Sequence, residues 1–290
     1  MIEKKDNNGC ILILGFFDGI HSGHQKVINS AVEYAKLNGL KTILLTFPKS
    51  PAEYFAGGFE YIYPRKYNYE LIKKLGVDEI EETEFSTLVN IEAEDYIKNI
   101  FQKYSPKAIF TGFNYTFGKN RKGNTKLLKD FQSIFQYEYF CIPEYKIGNI
   151  TVCSSKIKEF IKNGDLKKAN EFLGRKFFIE SKVIYGNQIG RTIGFPTANL
   201  EYPLNIVKLP FGVYKTETLG KKSMTNWGKK PTVGINNGEI AEVHIINYDD
   251  NLYGKILRVE FSEKIREEKK FSNLEELKNQ LKKDIKKCSE

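Results

Sequence analysis

Residues 15–24 read Gly-Phe-Phe-Asp-Gly-Ile-His-Ser-Gly-His, and this stretch decides how the first half of the chain folds. An apolar run at 10–14 precedes it, and an amphipathic run at 25–37 follows it. A short apolar run is typical of a buried strand, and apolar residues spaced like helical turns are typical of an amphipathic helix. The stretch is therefore predicted to be a tight turn between a strand and a helix, with Ser22 and Gln25 spaced as an N-capping box.

Two of the chain's three histidines, His21 and His24, lie in this turn. The backbone N–H groups in the first turn of a helix, together with the positive end of the helix dipole, form a binding site for phosphate. The alternative is an ordinary glycine-rich turn whose histidines are polar surface residues. From these residues alone both interpretations stay open.

The following segments alternate between strand and helix patterns. Strands are predicted at 41–47, 78–83, 107–113 and 137–142, and helices at 67–75, 92–104 and 124–135. This alternation predicts a parallel sheet covered by helices on both faces. Ligands of such sheets bind beyond the carboxyl ends of the strands, where 15–24 and 112–118 lie. The proline-bearing segment 48–64 is long enough to be a substrate-facing flap.

Two further segments carry groups suited to a nucleotide. The loop 112–118 has glycines that allow close backbone approach, aromatic rings that could stack on a flat ring, and Asn114 for a base or a phosphate. A hydrophobic turn with its rings in the core is an equally good interpretation. At 152–158, Ser154, Ser155 and Lys158 could hold a triphosphate at a helix start, although an ordinary N-cap with exposed lysines is the simpler interpretation.

The pattern changes after Gly174. Strands without intervening helices are predicted at 177–185, 212–218, 222–233, 239–248 and 252–261, which indicates an antiparallel sheet or small barrel. A last helix from Asn273 has a capping box of Ser272 and Glu275 and an apolar stripe of Leu274, Leu277 and Leu281. The predicted fold class is α/β, with a Rossmann-like parallel-sheet domain at 1–174 and a small antiparallel β-barrel with a terminal helix at 175–290.

The most informative stretch of the second half is 186–199, Gly-Asn-Gln-Ile-Gly-Arg-Thr-Ile-Gly-Phe-Pro-Thr-Ala-Asn. Its glycines suit a loop wrapped around phosphates, and Thr197 and Asn199 offer two neutral oxygen ligands for Mg²⁺. A glycine-rich hairpin is the alternative. Further on, strand alternation sends Glu242 and His244 to one face, where Glu242 either faces solvent or takes a proton from a substrate hydroxyl.

Composition limits the partners and the compartment. The 290 residues carry a formal net charge of +9, which favours anionic partners such as nucleotides, nucleic acid or acidic membranes. The longest apolar runs are too short for a membrane span, and residues 1–6 show no secretion signal. The four cysteines are scattered, so reduced thiols in a cytoplasm are expected rather than a zinc site or disulfides.

The order of these motifs resembles the nucleotidyltransferase superfamily, and more narrowly the FAD synthetase module of bacterial bifunctional riboflavin kinase/FAD synthetases. The His-x-Gly-His of that family matches residues 21–24, and its serine-rich segment matches 152–158, with Cys153 and Lys158 departing from the usual serine and arginine. Residues 46–51 also depart from the family's loop. The resemblance implies adenylylation of FMN by ATP, with His21 and His24 acting on the phosphates. The implied nucleotide-binding residues are Gly15, Phe17, Asp18, His21, His24, Asn114, Ser154, Ser155 and Lys158.

The second half resembles the riboflavin kinase module of the same family through its Pro-Thr-Ala-Asn signature at 196–199, its Glu-Val-His at 242–244 and its Leu-Tyr-Gly at 252–254. The resemblance implies that Thr197 and Asn199 bind Mg²⁺–ATP, that Glu242 is the base on riboflavin, and that Arg266 and Phe271 close over the flavin. Lys230 and residues 247–248 depart from the family pattern. The implied ATP-binding residues are Gly190, Arg191, Thr192, Gly194, Pro196, Thr197 and Asn199.

Three hypotheses follow. The first is a bifunctional cytoplasmic enzyme with riboflavin, FMN, FAD and ATP as partners and no nucleic acid or membrane. The second is a riboflavin kinase whose N-terminal module is a weak or regulatory nucleotidyltransferase, prompted by the departures at Cys153, Lys158 and 46–51. The third is a basic nucleic-acid-binding protein, which rests on net charge and scattered aromatics and has no reading helix or stacking motif behind it.

Overall fold

The computed structural model describes residues 9–186, 189–229 and 238–290. The N-terminal residues, Asn187 and Gln188 of the glycine-rich loop, and 230–237, including Lys230 and the end of the predicted strand 222–233, lie outside the described residues. Backbone contacts divide the chain into two compact units, Met1–Ser154 and Ser155–Glu290. The domain boundary near Gly174 stays a prediction.

A five-stranded parallel sheet forms the centre of the first unit. Its strands are β1 (Cys10–Leu14), β2 (Lys41–Thr46), β3 (Glu79–Glu82), β4 (Ala108–Gly112) and β7 (Glu138–Ile142), in the order β3-β2-β1-β4-β7. Strands β2 and β3 therefore lie on one side of β1, and β4 and β7 lie on the other side. In such sheets the ligand lies where this direction reverses, beyond the carboxyl ends of β1 and β4.

Helices cover both faces of this sheet, which confirms the predicted class of fold. They are α1 (Ser22–Asn38), α2 (Pro51–Ala56), α3 (Arg65–Lys74), α4 (Phe85–Leu88), α5 (Ala93–Tyr104), α6 (Thr125–Asp130) and α7 (Gln132–Phe135). Short strands β5 (Thr116–Phe117) and β6 (Gly123–Asn124) pair with each other, as do β8 (Lys146–Ile147) and β9 (Ile150–Thr151). Ile11 and Ile13 of β1 pack under α1, and Leu12 and Leu14 face the opposite helical layer, so β1 is buried on both sides.

The start of α1 differs from the predicted capping box. His21, not Ser22, is the N-cap residue, and its side chain accepts a hydrogen bond from the His24 backbone N–H. Ser22 is already inside the helix, while the Gln25 side chain donates to the Ile20 carbonyl. An imidazole nitrogen in the cap position satisfies the same backbone donor that a serine hydroxyl would.

The second unit contains a closed six-stranded antiparallel barrel, as predicted. Its strands are β10 (Phe177–Ile184), β11 (Ala198–Glu201), β12 (Gly212–Thr218), β13 (Lys221–Lys229), β14 (Glu239–Ile245) and β15 (Ile256–Arg266), in the order β10-β11-β14-β13-β12-β15. Strand β11 was not predicted, and β15 starts later than expected because Gly254, at φ +77°, turns the chain first. Trp227 is fully buried, and its indole N–H donates to the Leu209 carbonyl at 3.0 Å.

The described residues of the second unit include the helices α8 (Ser154–Lys162, which begins at the division), α9 (Leu166–Leu173), α10 (Ile189–Thr192) and α11 (Leu274–Ser289). Helix α9 is tied to the barrel by Asn170, whose side chain accepts from the Phe177 N–H at 2.6 Å and donates to the Phe261 carbonyl at 2.9 Å. The two hydrogen bonds explain why this helix packs with the barrel.

The terminal helix α11 departs from the predicted details by one position. Asn273 is its N-cap and accepts from the Glu276 N–H, while the Glu276 carboxylate accepts from the N–H and hydroxyl of Ser272. The contact with Lys269, followed by these two hydrogen bonds, lowers the pKa of Glu276 to about 2. Leu277 and Leu281 face inward as predicted, but Leu274 is exposed because the helix begins there.

All four cysteines are free thiols, and burial raises the pKa of Cys10 to about 11 and of Cys288 to about 12. Across 9–186, 189–229 and 238–290, no helix is long and apolar enough to cross a membrane.

Candidate functional site

The first unit has a cavity of about 320 Å³ at the point where the strand order reverses. We call it the first-unit cavity. It is bounded by the turn after β1, residues between Phe47 and Phe59, the loop after β4 and Ser154 of the serine-rich segment. Its lining includes Gly15, Phe16, Phe17, Asp18, His24, Phe47, Pro51, Phe59, Asn114, Tyr115 and Ser154. Most of the predicted nucleotide-binding residues are therefore gathered around one space.

The turn after β1 is held in an unusual backbone path. Gly19 has φ +81°, and a Cβ there would lie 2.7 Å from Ile62. The buried Asp18 carboxylate accepts from the Ile62 N–H at 3.1 Å, and the Gly19 N–H donates to Asn68 at 3.1 Å. These contacts fix the turn beside the cavity, which His24 in the first turn of α1 also lines.

His21 and His24 form a stacked pair, with ring centroids 3.6 Å apart and an angle of 17° between the ring planes. His21 Nδ1 accepts from the His24 N–H at 3.2 Å, so the proton of a neutral His21 ring lies on Nε2. An Nε2–H group is a hydrogen-bond donor. Phe17 packs edge-on against His24, with ring centroids 5.2 Å apart, and holds that ring toward the cavity.

In the loop after β4, some aromatic residues pack in the core and others line the cavity, so each of the two predicted roles applies to part of the loop. Phe117 is buried in the core against Tyr96, as an ordinary hydrophobic turn would have it. Asn114 and Tyr115 line the first-unit cavity, and Phe113 is exposed. The Tyr115 hydroxyl lies 3.0 Å from the Tyr96 hydroxyl, which fixes the ring.

The serine-rich segment contacts the turn after β1 within the first unit. Ser154 is the first residue of α8, and its hydroxyl donates to the Asp18 carbonyl at 2.9 Å. Ser155 and Lys158 follow on α8 and belong to the second unit, so their predicted role at the nucleotide stays a prediction.

A second cavity of about 240 Å³ adjoins the first and shares Gly15, Phe47 and Tyr115 with it. We call it the side cavity. Its other walls are mostly apolar and aromatic, with a few polar groups, and are formed by Leu45, Thr46, Thr83, Leu88, Tyr96, Asn99, Ile100, Lys103 and Tyr104. This combination suits a flat ring system with hydrogen-bonding edges.

In the second unit a cavity of about 300 Å³, here called the barrel cavity, lies beside the barrel wall. It gathers residues predicted separately from distant parts of the sequence, namely Gly190, Thr197, Asn199, Glu242, Arg266 and Phe271. Its apolar side is formed by residues including Val213, Met224, Leu277 and Leu281. The predicted alternation of β14 is confirmed, since Ala241, Val243 and Ile245 are buried while Glu242 and His244 line this cavity.

Three polar side chains form a row across neighbouring strands. Asn199 of β11 and Asn226 of β13 are both directly paired with Glu242 of β14, which lies between them. The Asn226 amide lies within 3.4 Å of a Glu242 carboxylate oxygen, and Asn199 is almost fully buried. Side chains opposite each other on one face of a sheet lie close together, so the row presents amide and carboxylate groups to one point of the cavity.

The glycine-rich loop is folded against this row. Helix α10 turns the chain, the Phe195 N–H donates to the Gly190 carbonyl at 2.7 Å, and a Cβ at Gly190 would lie 2.3 Å from the Phe195 carbonyl oxygen. His244 donates from Nδ1 to the Pro196 carbonyl at 2.8 Å and so anchors the Pro-Thr-Ala-Asn segment. Arg191, Thr192 and Gly194 are exposed.

Thr197 lies between two spaces. It lines the barrel cavity and also a small cavity of about 60 Å³ whose other walls include Arg191, Pro196, Asp249 and Tyr253. Arg191, Gly194 and Pro196 line a further open cleft with Tyr248. The glycine-rich loop therefore separates the barrel cavity beside Glu242 from the small cavity and the open cleft on the other side of the loop.

Arg266 lines the barrel cavity, but its guanidinium is held by another residue. Both Nε and Nη2 donate to Asp284 Oδ2, at 2.9 and 2.8 Å, and Gln280 donates to the other oxygen at 2.8 Å. Asp284 is fully buried. The centre of the Phe271 ring lies 5.9 Å from the Arg266 guanidinium carbon. Arg266 and Phe271 therefore form one connected wall of the cavity between β15 and α11.

Sequence reasoning missed Asn226 and Glu268, which line this cavity, and Asp284, which holds Arg266 behind its wall. Glu268 lines it close to Glu242, and burial, followed by the Glu242 charge, raises the pKa of Glu268. The strand pattern of 221–229 would have placed Asn226 on the same face as Met224, but only the register of β13 against β14 brings it to Glu242. Asp284 lies in a lysine-rich helix, and no sequence pattern there distinguishes a buried aspartate from a solvent-exposed one.

Within the described parts of the chain, no three His, Cys, Asp or Glu side chains cluster as metal ligands. Thr197 and Asn199 are neutral oxygen donors and fall outside such a search. Both line the barrel cavity next to the Glu242 carboxylate. Together these side chains offer only oxygen atoms, which are the ligands that Mg²⁺ takes.

A family model described as FAD synthetase matches residues 3–156, and a model described as riboflavin kinase matches residues 173–290. The chain is thus an enzyme that carries both a FAD synthetase domain and a riboflavin kinase domain. It belongs to the family of bifunctional riboflavin kinase/FMN adenylyltransferases, and the presence of both domains favours the first hypothesis over a kinase with a weak N-terminal module.

Relatives support this membership over nearly the full length. A bifunctional riboflavin kinase/FMN adenylyltransferase of Haemophilus influenzae is 33% identical, covering 96% of this chain and 92% of the relative. One of Bacillus subtilis is 31% identical, covering 97% of this chain and 92% of the relative. A crystal structure named as a macrolide-efflux protein, from Streptococcus pneumoniae, is 29% identical with a TM-score of 0.88 and covers 97% of this chain and 94% of that one.

Proposed function

We propose that the barrel cavity phosphorylates riboflavin to FMN with ATP, and that the first-unit cavity transfers AMP from ATP to FMN to give FAD and pyrophosphate. The observation that carries the kinase half is the meeting of Thr197, Asn199 and Glu242 in one cavity. For the synthetase half it is the stacked His21–His24 pair at the start of α1.

In the kinase reaction, Glu242 is proposed as the general base. Its carboxylate takes the proton from the terminal hydroxyl of the ribityl chain as that oxygen attacks the γ-phosphorus of ATP and ADP leaves. Asn226, within hydrogen-bonding distance of one carboxylate oxygen, orients the group. The isoalloxazine ring would pack on the apolar wall that includes Phe271, Leu277 and Leu281.

Thr197 and Asn199 are proposed to hold Mg²⁺ through their side-chain oxygens. When bound, Mg²⁺ would neutralise charge on the ATP phosphates as the γ-phosphoryl group is transferred. The small cavity and the adjoining open cleft on the far side of the loop, both lined by Arg191 and Pro196, are together the proposed position of ATP. Thr197 lines both sides, so it would stand where the two substrates meet.

The synthetase reaction needs no nucleophile from the protein. A phosphate oxygen of FMN attacks the α-phosphorus of ATP, the bond to the β-phosphate oxygen breaks, and pyrophosphate leaves. His21 and His24, with the N–H groups of α1, would donate hydrogen bonds to the phosphate oxygens as charge develops on them. Asn114 and Ser154 would contact the nucleotide, and the side cavity would take the flavin ring of FMN.

A cytoplasmic location is part of the same proposal, supported by four free thiols and by the family. The test is to incubate the purified protein with riboflavin, ATP and Mg²⁺ and to separate the flavins by chromatography. FMN followed by FAD is the expected result. FMN without FAD would overturn the synthetase half, and the absence of both products would overturn the whole proposal.

A further inference from the structure

Arg65, the first residue of α3, carries a set of contacts that none of the sequence motifs anticipated. Its Nη1 donates to the Phe16 carbonyl at 3.0 Å, and its Nη2 donates to the Phe47 carbonyl at 2.8 Å and to the Thr46 hydroxyl at 3.1 Å. Phe16 follows strand β1, and Thr46 and Phe47 end and follow strand β2. One guanidinium therefore joins the two segments that leave neighbouring strands of the sheet.

Two aromatic rings also lie close to the guanidinium. Its carbon lies 4.5 Å from the centre of the Phe16 ring and 4.8 Å from that of Tyr69. Planar stacking combined with a fork of N–H donors is a property of arginine that lysine does not share. All three acceptors are neutral oxygens. Burial lowers the pKa of Arg65, while the nearby charges of Glu82 and Asp18 act in the opposite direction.

The two joined segments are walls of the cavities described above. Phe16 and Phe47 both line the first-unit cavity, and Thr46 and Phe47 line the side cavity. The Thr46 hydroxyl additionally donates to the Phe16 carbonyl at 3.2 Å, which closes a small network around the guanidinium. Displacement of either carbonyl would move the ring attached to it and change the shape of the cavity.

We propose that Arg65 is a positioning residue for FAD synthesis, whose planar fork holds the segments after β1 and β2 at the separation that the nucleotide requires. It touches neither substrate and acts through Phe16 and Phe47. This inference rests on the proposed synthetase function. The two activities of one chain make it testable, because the barrel cavity contains none of these residues.

The first variant is Arg65→Met, which keeps an apolar stem near the two rings and removes the guanidinium N–H donors. For FMN-to-FAD conversion we expect the KM for ATP to rise about tenfold and kcat/KM to fall about a hundredfold, as misplaced substrate groups cost about that much. FMN formation from riboflavin should stay within about twofold of the unchanged protein. Lys66→Met, which removes one charge at the exposed next position, is the matched control and should leave both activities intact.

The second variant, Arg65→Lys, keeps the positive charge but removes the planar set of guanidinium N–H donors. It should recover only part of the loss, because one ammonium group cannot reach both carbonyls and the hydroxyl in the same geometry. A merely structural role predicts a different result, in which fewer molecules are active: kcat falls, the KM for ATP is unchanged, and the loss disappears on cooling.

An unchanged KM for ATP in Arg65→Met, or full activity in Arg65→Lys, would overturn the proposal. If the unchanged protein itself made no FAD, the synthetase function would fail instead, so the two failures are distinguishable. If Arg65→Met does not fold, the KM measured with Arg65→Lys decides, since any rise there above that of Lys66→Met supports positioning and no rise contradicts it.

Discussion

Asn199 and Glu242 are directly paired across strands β11 and β14, on the face of the barrel that lines the cavity. The chain carries them 43 residues apart, and the register of one strand pair brings the predicted metal ligand beside the predicted base. A base must lie within hydrogen-bonding reach of the hydroxyl whose proton it takes, while the metal binds the phosphate that this hydroxyl attacks. The pairing meets both requirements.

Replacing Glu242 with glutamine tests its role as the base. Glu242→Gln keeps the shape and the contact with Asn226 but removes proton acceptance, so FMN formation should fall about 10²- to 10⁴-fold. FMN-to-FAD conversion should be unchanged. The measurement is the initial rate of each step, with Glu180→Gln, which breaks an exposed pair with Arg258, as the control. Near-normal FMN formation in Glu242→Gln would show that another group takes the proton.

The two histidines should respond differently to substitution. His24→Ala removes a phosphate donor and should stop FAD formation while leaving FMN formation intact. His21→Ala should do the same and also lower the thermal stability of the first unit, because it removes the N-cap of α1, worth about 1 kcal/mol.

His21→Asn separates these two roles. Asparagine is a good N-cap, so stability should return while FAD formation stays low. Thermal unfolding and initial rates on the same samples give both quantities. Recovery of activity together with stability would mean that His21 acts only as a cap.

Asn199 should control the Mg²⁺ requirement of one reaction only. Asn199→Ala removes a proposed oxygen ligand, so the Mg²⁺ concentration for half-maximal FMN formation should rise about tenfold. The Mg²⁺ dependence of FMN-to-FAD conversion in the same protein is the internal control and should not move. Equal shifts in both reactions would place the effect outside the barrel cavity.

Asp284 should support the cavity through Arg266. Asp284→Asn leaves the guanidinium without its charged partner and should lower the free energy of unfolding of the second unit by about 3 kcal/mol. It should also raise the KM for riboflavin, because the wall formed by Arg266 and Phe271 loosens. Denaturant unfolding and riboflavin titration measure the two effects. Glu180→Gln, at an exposed pair, should cost about 1 kcal/mol or less.

The sequence predicted the elements whose patterns are local. Strand β1, the glycine-rich turns and the alternation around Glu242 follow from neighbouring residues, and the family motifs lie on them. The capping of α1 by His21 was missed because an imidazole is an uncommon cap. Asn226, Asp284 and Arg65 were missed because their partners come from distant segments, and only strand register and helix packing bring these together.

Mixing two single variants tests most directly the claim of two separate sites in one chain. With riboflavin, ATP and Mg²⁺, Glu242→Gln alone should form FMN and FAD only at its strongly reduced rate, and His24→Ala alone should accumulate FMN. Mixed together, they should produce FAD, because FMN released by one is adenylylated by the other. Failure of the mixture to make FAD, with each variant folded and showing its remaining activity, would contradict two independent sites that exchange FMN through solution.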